Sequence, residues 1–174
     1  TFYPQSIKQN VLLSEFADII KKNGSLHQKK IGVFAKIAKG GEHIISNPSD
    51  GVEAKNIASK GDYIVTNNTE AKEQYIMDAT KFHQRYVHVG DDNYMPNEKA
   101  RVWALQITSD TIYRYNLLQG FDAMKTILFD SIYIEAPGKE SQVLKLYDYL
   151  VTSESKDEIY RIAYKEFNES YTRI

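Results

Sequence analysis

Hydrophobic residues near the start of the chain recur three or four positions apart. They are Ile7, Val11, Leu12, Phe16, Ile19 and Ile20. This spacing gives a helix with one apolar face. Ser6 and Gln9 have the separation of a capping box, and Gly24 is typical of the position that follows a helix. The pattern therefore predicts an N-terminal amphipathic helix.

Short runs of β-branched and aromatic residues follow this segment. They predict strands in the stretches GVFAKI, HIIS, GDYIVTN, EQYIMD, RVWALQI, YDYLVT and EIYRI. NPSDG (47–51) and NNTEAK (67–72) have the composition of turns between strands. Short helices are predicted at residues 78–89, where Phe82 and Tyr86 share a face, and at 109–120. Strands mixed with a few short helices predict the α+β class.

The stretches GDYIVT (61–66) and YDYLVT (147–152) nearly repeat one another. Upstream of them, VFAKI resembles VWALQI. The match continues downstream, and after the hairpin loop the separation between the two members of each matched pair is one residue shorter. The matched pairs are Asp62 and Asp148, Tyr63 and Tyr149, Val65 and Val151, Thr66 and Thr152, Glu73 and Glu158, Tyr75 and Tyr160, Phe82 and Phe167, and Tyr86 and Tyr171. Matched aromatic residues at a nearly constant separation indicate an internal duplication, although two hairpins of similar composition would share part of the pattern.

The repeat predicts how the chain is divided. An N-terminal helical segment (1–28) precedes a first α+β repeat (29–90), a polar linker (91–98) and a second α+β repeat (99–174). Each repeat is expected to form a small antiparallel sheet with a short C-terminal helix, and the two repeats are expected to pack as one globule. Phe82 and Phe167 are predicted core residues, because each lies on a helix that packs onto its sheet.

The stretch SKGDYIVTNNTEAKEQYIMDATKFHQRY resembles the signature of the PGDYG-type proteins and related small phage and bacterial domains. The resemblance covers residues 29–88 and, more faintly, 99–173. The chain departs from the pattern at Lys60, where the family has Pro, and at Ile64, where it has the last Gly; in the second copy Tyr147 replaces the first Gly. The resemblance implies a small α+β domain in two tandem copies. It implies no catalytic residue, because the family has no settled activity.

The composition is that of a soluble globular protein, with 174 residues of which 42% are hydrophobic and 26% charged. The net charge of −1 gives no strong nucleic-acid signal. The absence of cysteine excludes a disulfide framework, a cysteine nucleophile and a thiolate zinc site. No apolar run approaches the roughly 18 residues of a membrane span, and the first residues lack the order of a signal peptide. A cytoplasmic location without membrane association is therefore expected.

Asp62 and Asp148 are the most suggestive carboxylates, because each precedes a matched strand. Asp at such a position commonly accepts hydrogen bonds from nearby backbone N–H groups of a turn. Alternatively, two equivalent carboxylates could bind Mg²⁺ or act as an acid and a base. Recurrence in both copies favours the turn-capping interpretation, since a catalytic role usually needs only one site. Together with Tyr63 and Tyr149, these residues form the candidate site.

The histidines show no metal-binding spacing. His83 and His88 are five positions apart, whereas an i, i+4 pair places two ligands on one helix face. His27 and His43 stand alone in the sequence. The chain contains neither a glycine-rich phosphate loop nor a G-x-S-x-G nucleophile elbow. The sequence therefore predicts no metal and no cofactor.

Tyrosine is abundant, with 13 residues in the chain. Rings with a polar tip suit interfaces and the walls of ligand sites, although packing at the edge of a core is the simpler explanation. These patterns favour a non-enzymatic binding or interaction module for a protein or small-molecule partner. The alternative is a nucleotide-binding protein or an enzyme with a site between the two repeats, so the sequence leaves catalysis open.

Overall fold

The computed structural model describes residues 6–46, 54–114 and 132–174. The helices are α1 (Gln9–Asn23), α2 (Ala79–Arg85), α3 (Ser109–Arg114) and α4 (Tyr164–Ser170). The strands are β1 (Ser25–Lys29), β2 (Val33–Ile37), β3 (His43–Ser46), β4 (Ala54–Ile57), β5 (Tyr63–Asn67), β6 (Gln74–Met77), β7 (Tyr86–Gly90), β8 (Asn93–Pro96), β9 (Arg101–Gln106), β10 (Ile132–Glu135), β11 (Ser141–Leu144), β12 (Tyr149–Ser153), β13 (Ile159–Ile162) and β14 (Tyr171–Arg173). The predicted α+β class, with an N-terminal amphipathic helix, antiparallel sheets and a short C-terminal helix, is confirmed. None of the helices in the described ranges is long and apolar enough to cross a membrane.

The chain forms two compact units that do not follow the predicted sequence order. The α1 unit comprises the residues up to Leu26 together with Val102–Tyr164. The α2 unit comprises His27–Arg101 together with Lys165–Ile174, so it contains most of α4 and all of β14 as well as the first predicted repeat. Boundaries drawn along the sequence cannot show such an exchange of segments, because it depends on contacts between distant parts of the chain.

The α2 unit is built on a five-stranded antiparallel sheet with the strand order β6-β5-β2-β8-β7. Helix α2 begins after Asp78, whose side chain accepts a hydrogen bond from the Lys81 N–H at 2.9 Å. This cap satisfies one of the free N–H groups at the start of the helix. One face of the sheet and the helix share a buried core of Val33, Ala35, Tyr63, Val65, Phe82 and Tyr86.

The α1 unit contains an antiparallel sheet in which β12 lies between β9 and β13. Helix α1 contacts β12 and β13. The buried core shared by α1 and this sheet consists of Leu12, Phe16, Ala17, Ile20, Leu105, Ile107, Ile112, Ile134, Leu144, Leu150 and Ile159. The apolar face predicted from the spacing of α1 is therefore the face that covers the sheet.

The capping box predicted for α1 from Ser6 and Gln9 is wrong. The helix begins at Gln9, and the residue before it, Lys8, makes no side-chain capping bond. Ile7 pairs with Ile134 in a short parallel bridge, which keeps the preceding backbone extended. The Gln9 side chain donates to the carbonyls of Glu135 (2.7 Å) and Ile159 (2.9 Å) and accepts from the Ile159 N–H (2.7 Å). Gln9 therefore links the start of the helix to two strands.

Two further predictions of local structure need correction. The predicted linker 91–98 contains strand β8, which pairs with β2 and β7. The predicted helix 78–89 ends at Arg85, and the following residues form β7, in which Tyr86 is buried and Val87 is exposed. The predicted NPSDG turn and the second half of the predicted helix 109–120 lie outside the described residues.

The sheets of the two units have corresponding registers. In the α2 unit β5 pairs with β2 and β6, and Tyr63 lies opposite Ile37 and Met77. In the α1 unit β12 pairs with β9 and β13, and Tyr149 lies opposite Gln106 and Ile162. The positions that match in the sequence are also the positions that these registers align. The duplication itself stays a prediction.

Tyr147 has a backbone conformation that favours glycine, with φ of 73°. The matching residue, Gly61, has φ of 91°. Because Tyr147 is 59% exposed, its side chain contributes little buried area to offset the backbone strain. We expect Tyr147→Gly to raise the free energy of unfolding by up to about 1 kcal/mol, which chemical denaturation would measure.

Gly61→Ala is the matched control for this prediction. No heavy atom lies within 4 Å of a Cβ placed on Gly61, so the substitution reports the backbone cost alone. It should lower the free energy of unfolding by about 1 kcal/mol. A loss of stability in Tyr147→Gly would show that the tyrosine ring makes stabilising contacts.

Candidate functional site

Asp62 and Asp148 cap equivalent turns. Asp62 Oδ2 accepts from the Ser59 N–H at 3.1 Å, and Asp148 Oδ2 accepts from the Lys145 N–H at 2.8 Å. Each carboxylate is thus bonded to the backbone three residues earlier, and the turn-capping interpretation is confirmed. The two residues belong to different compact units. A catalytic or metal-binding role for them was the alternative interpretation, and it stays untested.

Asp148 has a second partner that the sequence did not reveal. The Arg161 Nε donates to Asp148 Oδ2 at 2.8 Å, and both side chains are buried. The Arg161 backbone N–H also donates to Gln142 Oε1 at 2.8 Å. At the matching position of the α2 unit stands Ile76, which cannot form an ion pair. The Asp148 carboxylate is therefore part of a buried ion pair in the core of its unit.

Tyr63 and Tyr149 have different surroundings. Tyr63 is buried and stacks on Phe82 with ring centroids 4.1 Å apart, and its hydroxyl lies 3.2 Å from His83 Nε2. Burial, followed by the nearby Tyr94 hydroxyl, raises the pKa of Tyr63, so its hydroxyl stays protonated at neutral pH. Tyr149 is half-buried, and its ring stacks on Tyr164 at 6.5 Å. The candidate tyrosines are therefore not chemically equivalent.

A buried lysine organises the polar side chains of the α2 unit. Lys29 Nζ donates to Asn67 Oδ1 (2.6 Å), the Tyr75 hydroxyl (3.0 Å) and the Tyr86 hydroxyl (2.8 Å). The ammonium also lies 5.4 and 5.2 Å from the centroids of the two tyrosine rings. An ammonium has three N–H donors, and each of them is matched here by an acceptor.

The lysine network continues to a carboxylate. Asn67 Nδ2 donates to Glu73 Oε1 at 2.8 Å, and the Thr69 hydroxyl donates to Glu73 Oε2. Tyr75, Tyr86 and Glu73 are matched positions of the sequence repeat, whereas no sequence pattern indicated Lys29. The network explains why two tyrosines with polar tips lie at this edge of the core. Its donors and acceptors are used within the unit, which is typical of a structural polar cluster.

Two histidines of the α2 unit, His83 and His88, form hydrogen bonds with nearby protein groups. His83 Nε2 lies beside the Tyr63 hydroxyl, and His88 Nε2 lies 2.5 Å from the Asp91 carbonyl oxygen. His27 packs edge-on against Phe167, with ring centroids 4.9 Å apart. Within residues 6–46, 54–114 and 132–174, no group of three or more His, Asp or Glu side chains could hold a metal ion.

An apolar cavity lies in the core of the α1 unit. Its walls are Leu12, Phe16, Ile107, Ile112, Ile134, Leu144 and Leu150. Within the described residues, the cavity has a volume of about 10 Å³, which is close to the space that one water molecule needs. Such a volume reflects a small packing gap and not a ligand site.

The second face of the sheet in the α2 unit carries exposed apolar side chains. Its exposed apolar residues are Phe34 (41% exposed), Met95 (43%) and Val87 (54%). We call this side, with Phe34 and Lys36 on β2, Ile64 and Thr66 on β5, Met95 on β8 and Val87 on β7, the outer face. Side chains alternate along a strand, so these residues lie on the other side of the sheet from the buried Val33, Ala35 and Val65.

Cross-strand pairing brings the outer-face residues together. Lys36 lies opposite Ile64, and Val87 lies opposite Met95. Met95 Sδ lies 2.9 Å from where a Cβ on Gly32 would be, so the methionine crosses the start of β2. The Lys36 ammonium lies 5.5 Å from the Phe34 ring centroid. The outer face thus combines an aromatic ring, aliphatic groups and one exposed positive charge.

Comparison of the chain with models of protein families, with curated proteins and with solved structures gives no match.

Proposed function

We propose that the protein is a non-enzymatic interaction module that binds a protein partner through the outer face of the α2 unit. The observation that supports this proposal is the exposure of Phe34, Val87 and Met95 on one side of a single sheet. An antiparallel sheet with one solvated face normally alternates apolar residues inside with polar residues outside. Here apolar residues occupy both faces, which is typical of a sheet that covers its second face with another element or a partner.

The chemistry of the outer face favours a protein partner. Phe34 and Met95 offer a large apolar contact area, and aromatic residues and methionine are enriched at protein interfaces. Lys36 adds a charge that can set the orientation of a partner without dominating the surface. A sheet face is also held rigidly by its hydrogen bonds, so binding orders few additional groups.

The test uses Phe34→Thr, which removes the aromatic ring and keeps a residue that strands accept. Tyr113→Thr is the matched control, because Tyr113 is an exposed aromatic residue of the α1 unit, at 85% exposure. Thermal unfolding first establishes that both variants are folded. We expect cellular proteins that are retained by the immobilised wild type and by Tyr113→Thr to be lost with Phe34→Thr.

Direct binding completes the test. A purified protein from the differentially retained set should bind Phe34→Thr at least about tenfold more weakly than wild type, a change of about 1.4 kcal/mol. The control variant should bind as wild type does. Equal affinity for the wild type and Phe34→Thr, or no protein that distinguishes them, would overturn the proposed function.

A further inference from the structure

The α1 unit contains a covered counterpart of the outer face. The pairing of β9 with β12 matches the pairing of β2 with β5 residue for residue. In this alignment the outer-face positions Phe34, Lys36, Ile64 and Thr66 correspond to Trp103, Leu105, Leu150 and Thr152. These are the same strand positions on the same side of two sheets, because β13-β12-β9 and β6-β5-β2 have the same order.

Helix α1 covers that counterpart in the α1 unit. Leu105 and Leu150 are buried in one cluster with Leu12, Phe16 and Ile20 of the helix, and Trp103 packs against it. Thr152, which lies opposite Trp103, is 0% exposed. The three helix residues are four apart and form a single apolar stripe.

We infer that the outer face of the α2 unit binds an amphipathic α-helix of a partner protein, in the manner in which α1 covers the matching face of the α1 unit. This inference rests on the proposed function and specifies the chemistry of the partner. A partner helix with apolar residues at i, i+4 and i+8 would lie across Phe34, Ile64 and Met95. Laying the apolar stripe of a helix on an apolar surface is a common mode of peptide recognition.

The charge of the outer face specifies the partner further. Lys36 stands where the covered sheet has Leu105. The apolar centre under α1 is thus replaced by a positive charge beside the Phe34 ring. The partner helix therefore carries Asp or Glu next to its apolar stripe, at the position that faces Lys36. A basic residue at that position would bring like charges together and weaken binding.

The test selects binders from two displayed peptide libraries, one held as a helix on a rigid scaffold and one of unconstrained extended peptides. Both are selected on the purified full chain and counter-selected on Phe34→Thr. We expect the helical library to yield binders with the i, i+4, i+8 apolar pattern and an acidic residue beside it. Their Kd should rise at least about tenfold with Phe34→Thr and with Lys36→Glu, and stay unchanged with Tyr113→Thr.

The other outcomes separate this inference from the proposed function. Binders from the extended library alone would overturn the helical partner and leave a protein-binding outer face in place. Failure of both libraries, with no partner lost in Phe34→Thr, would overturn both proposals. Analytical ultracentrifugation tests for a second copy as the occupant. Self-association that Phe34→Thr abolishes would also overturn the partner helix.

Discussion

Asp148→Ala is expected to lower the free energy of unfolding by about 3–5 kcal/mol, because it leaves the buried Arg161 guanidinium without its carboxylate. Asp62→Ala should cost only about 1 kcal/mol, since Asp62 is less buried and its loss removes one backbone hydrogen bond from a turn. The two residues were matched by sequence and both cap a turn, so the difference reports the ion pair together with the deeper burial of Asp148. Urea denaturation of both variants provides the measurement.

The conservative substitutions sharpen this comparison. Asp62→Asn keeps an acceptor for the Ser59 N–H and should change stability by less than about 1 kcal/mol. Asp148→Asn keeps the turn bond but removes the charge that faces Arg161, so it should cost more than Asp62→Asn. In the double variant Asp148→Asn with Arg161→Met, much of that loss should be recovered. Equal costs at Asp62 and Asp148 would show that the ion pair contributes nothing to folding.

Phe82→Ala is expected to lower the free energy of unfolding by about 3–5 kcal/mol, the usual cost of removing a fully buried phenylalanine ring. Phe82 is 0% exposed and lies between Tyr63 and Tyr86, with which its ring stacks at 4.1 and 5.0 Å. The same range applies to Phe167, whose predicted place in the core is also confirmed. The loss would appear as a lower midpoint of chemical denaturation.

Phe34→Ala is the matched control for Phe82, because both rings belong to the α2 unit and only Phe82 is enclosed by its core. Phe34 is partly exposed on the outer face, so its removal should cost about 1 kcal/mol or less. An unchanged midpoint in Phe82→Ala would contradict the packing described for α2. A large loss in Phe34→Ala would show that the outer face stabilises the isolated protein.

Local sequence patterns predicted those elements that depend on interactions within a few residues. They are helix α1 with its apolar spacing, strands β2, β5 and β12 with their β-branched centres, and the turn between β5 and β6. Helical spacing produces an apolar stripe and alternation produces an apolar strand face before any tertiary contact forms. The turn bonds of Asp62 and Asp148 belong to the same class, because donor and acceptor are three residues apart.

Elements that depend on distant partners were missed. Strand β8 contains polar residues and a proline, and its extended conformation comes from pairing with β2 and β7. Residues 27–29 of β1 pair with β14, at the other end of the chain. Lys29 is buried because its acceptors arrive from β5, β6 and β7. No window of sequence around Lys29 contains those groups.

The sequence by itself therefore determined the α+β class, the N-terminal helix, the matched strands and the turn-capping carboxylates. Only the tertiary structure decided that Asp148 forms a buried ion pair, that Lys29 organises a polar cluster, and that the outer face of the α2 unit stays exposed. The alternation of side chains along a strand determines which side chains share a face. Which face becomes covered depends on whether another element packs there, and that is settled by long-range burial of apolar area.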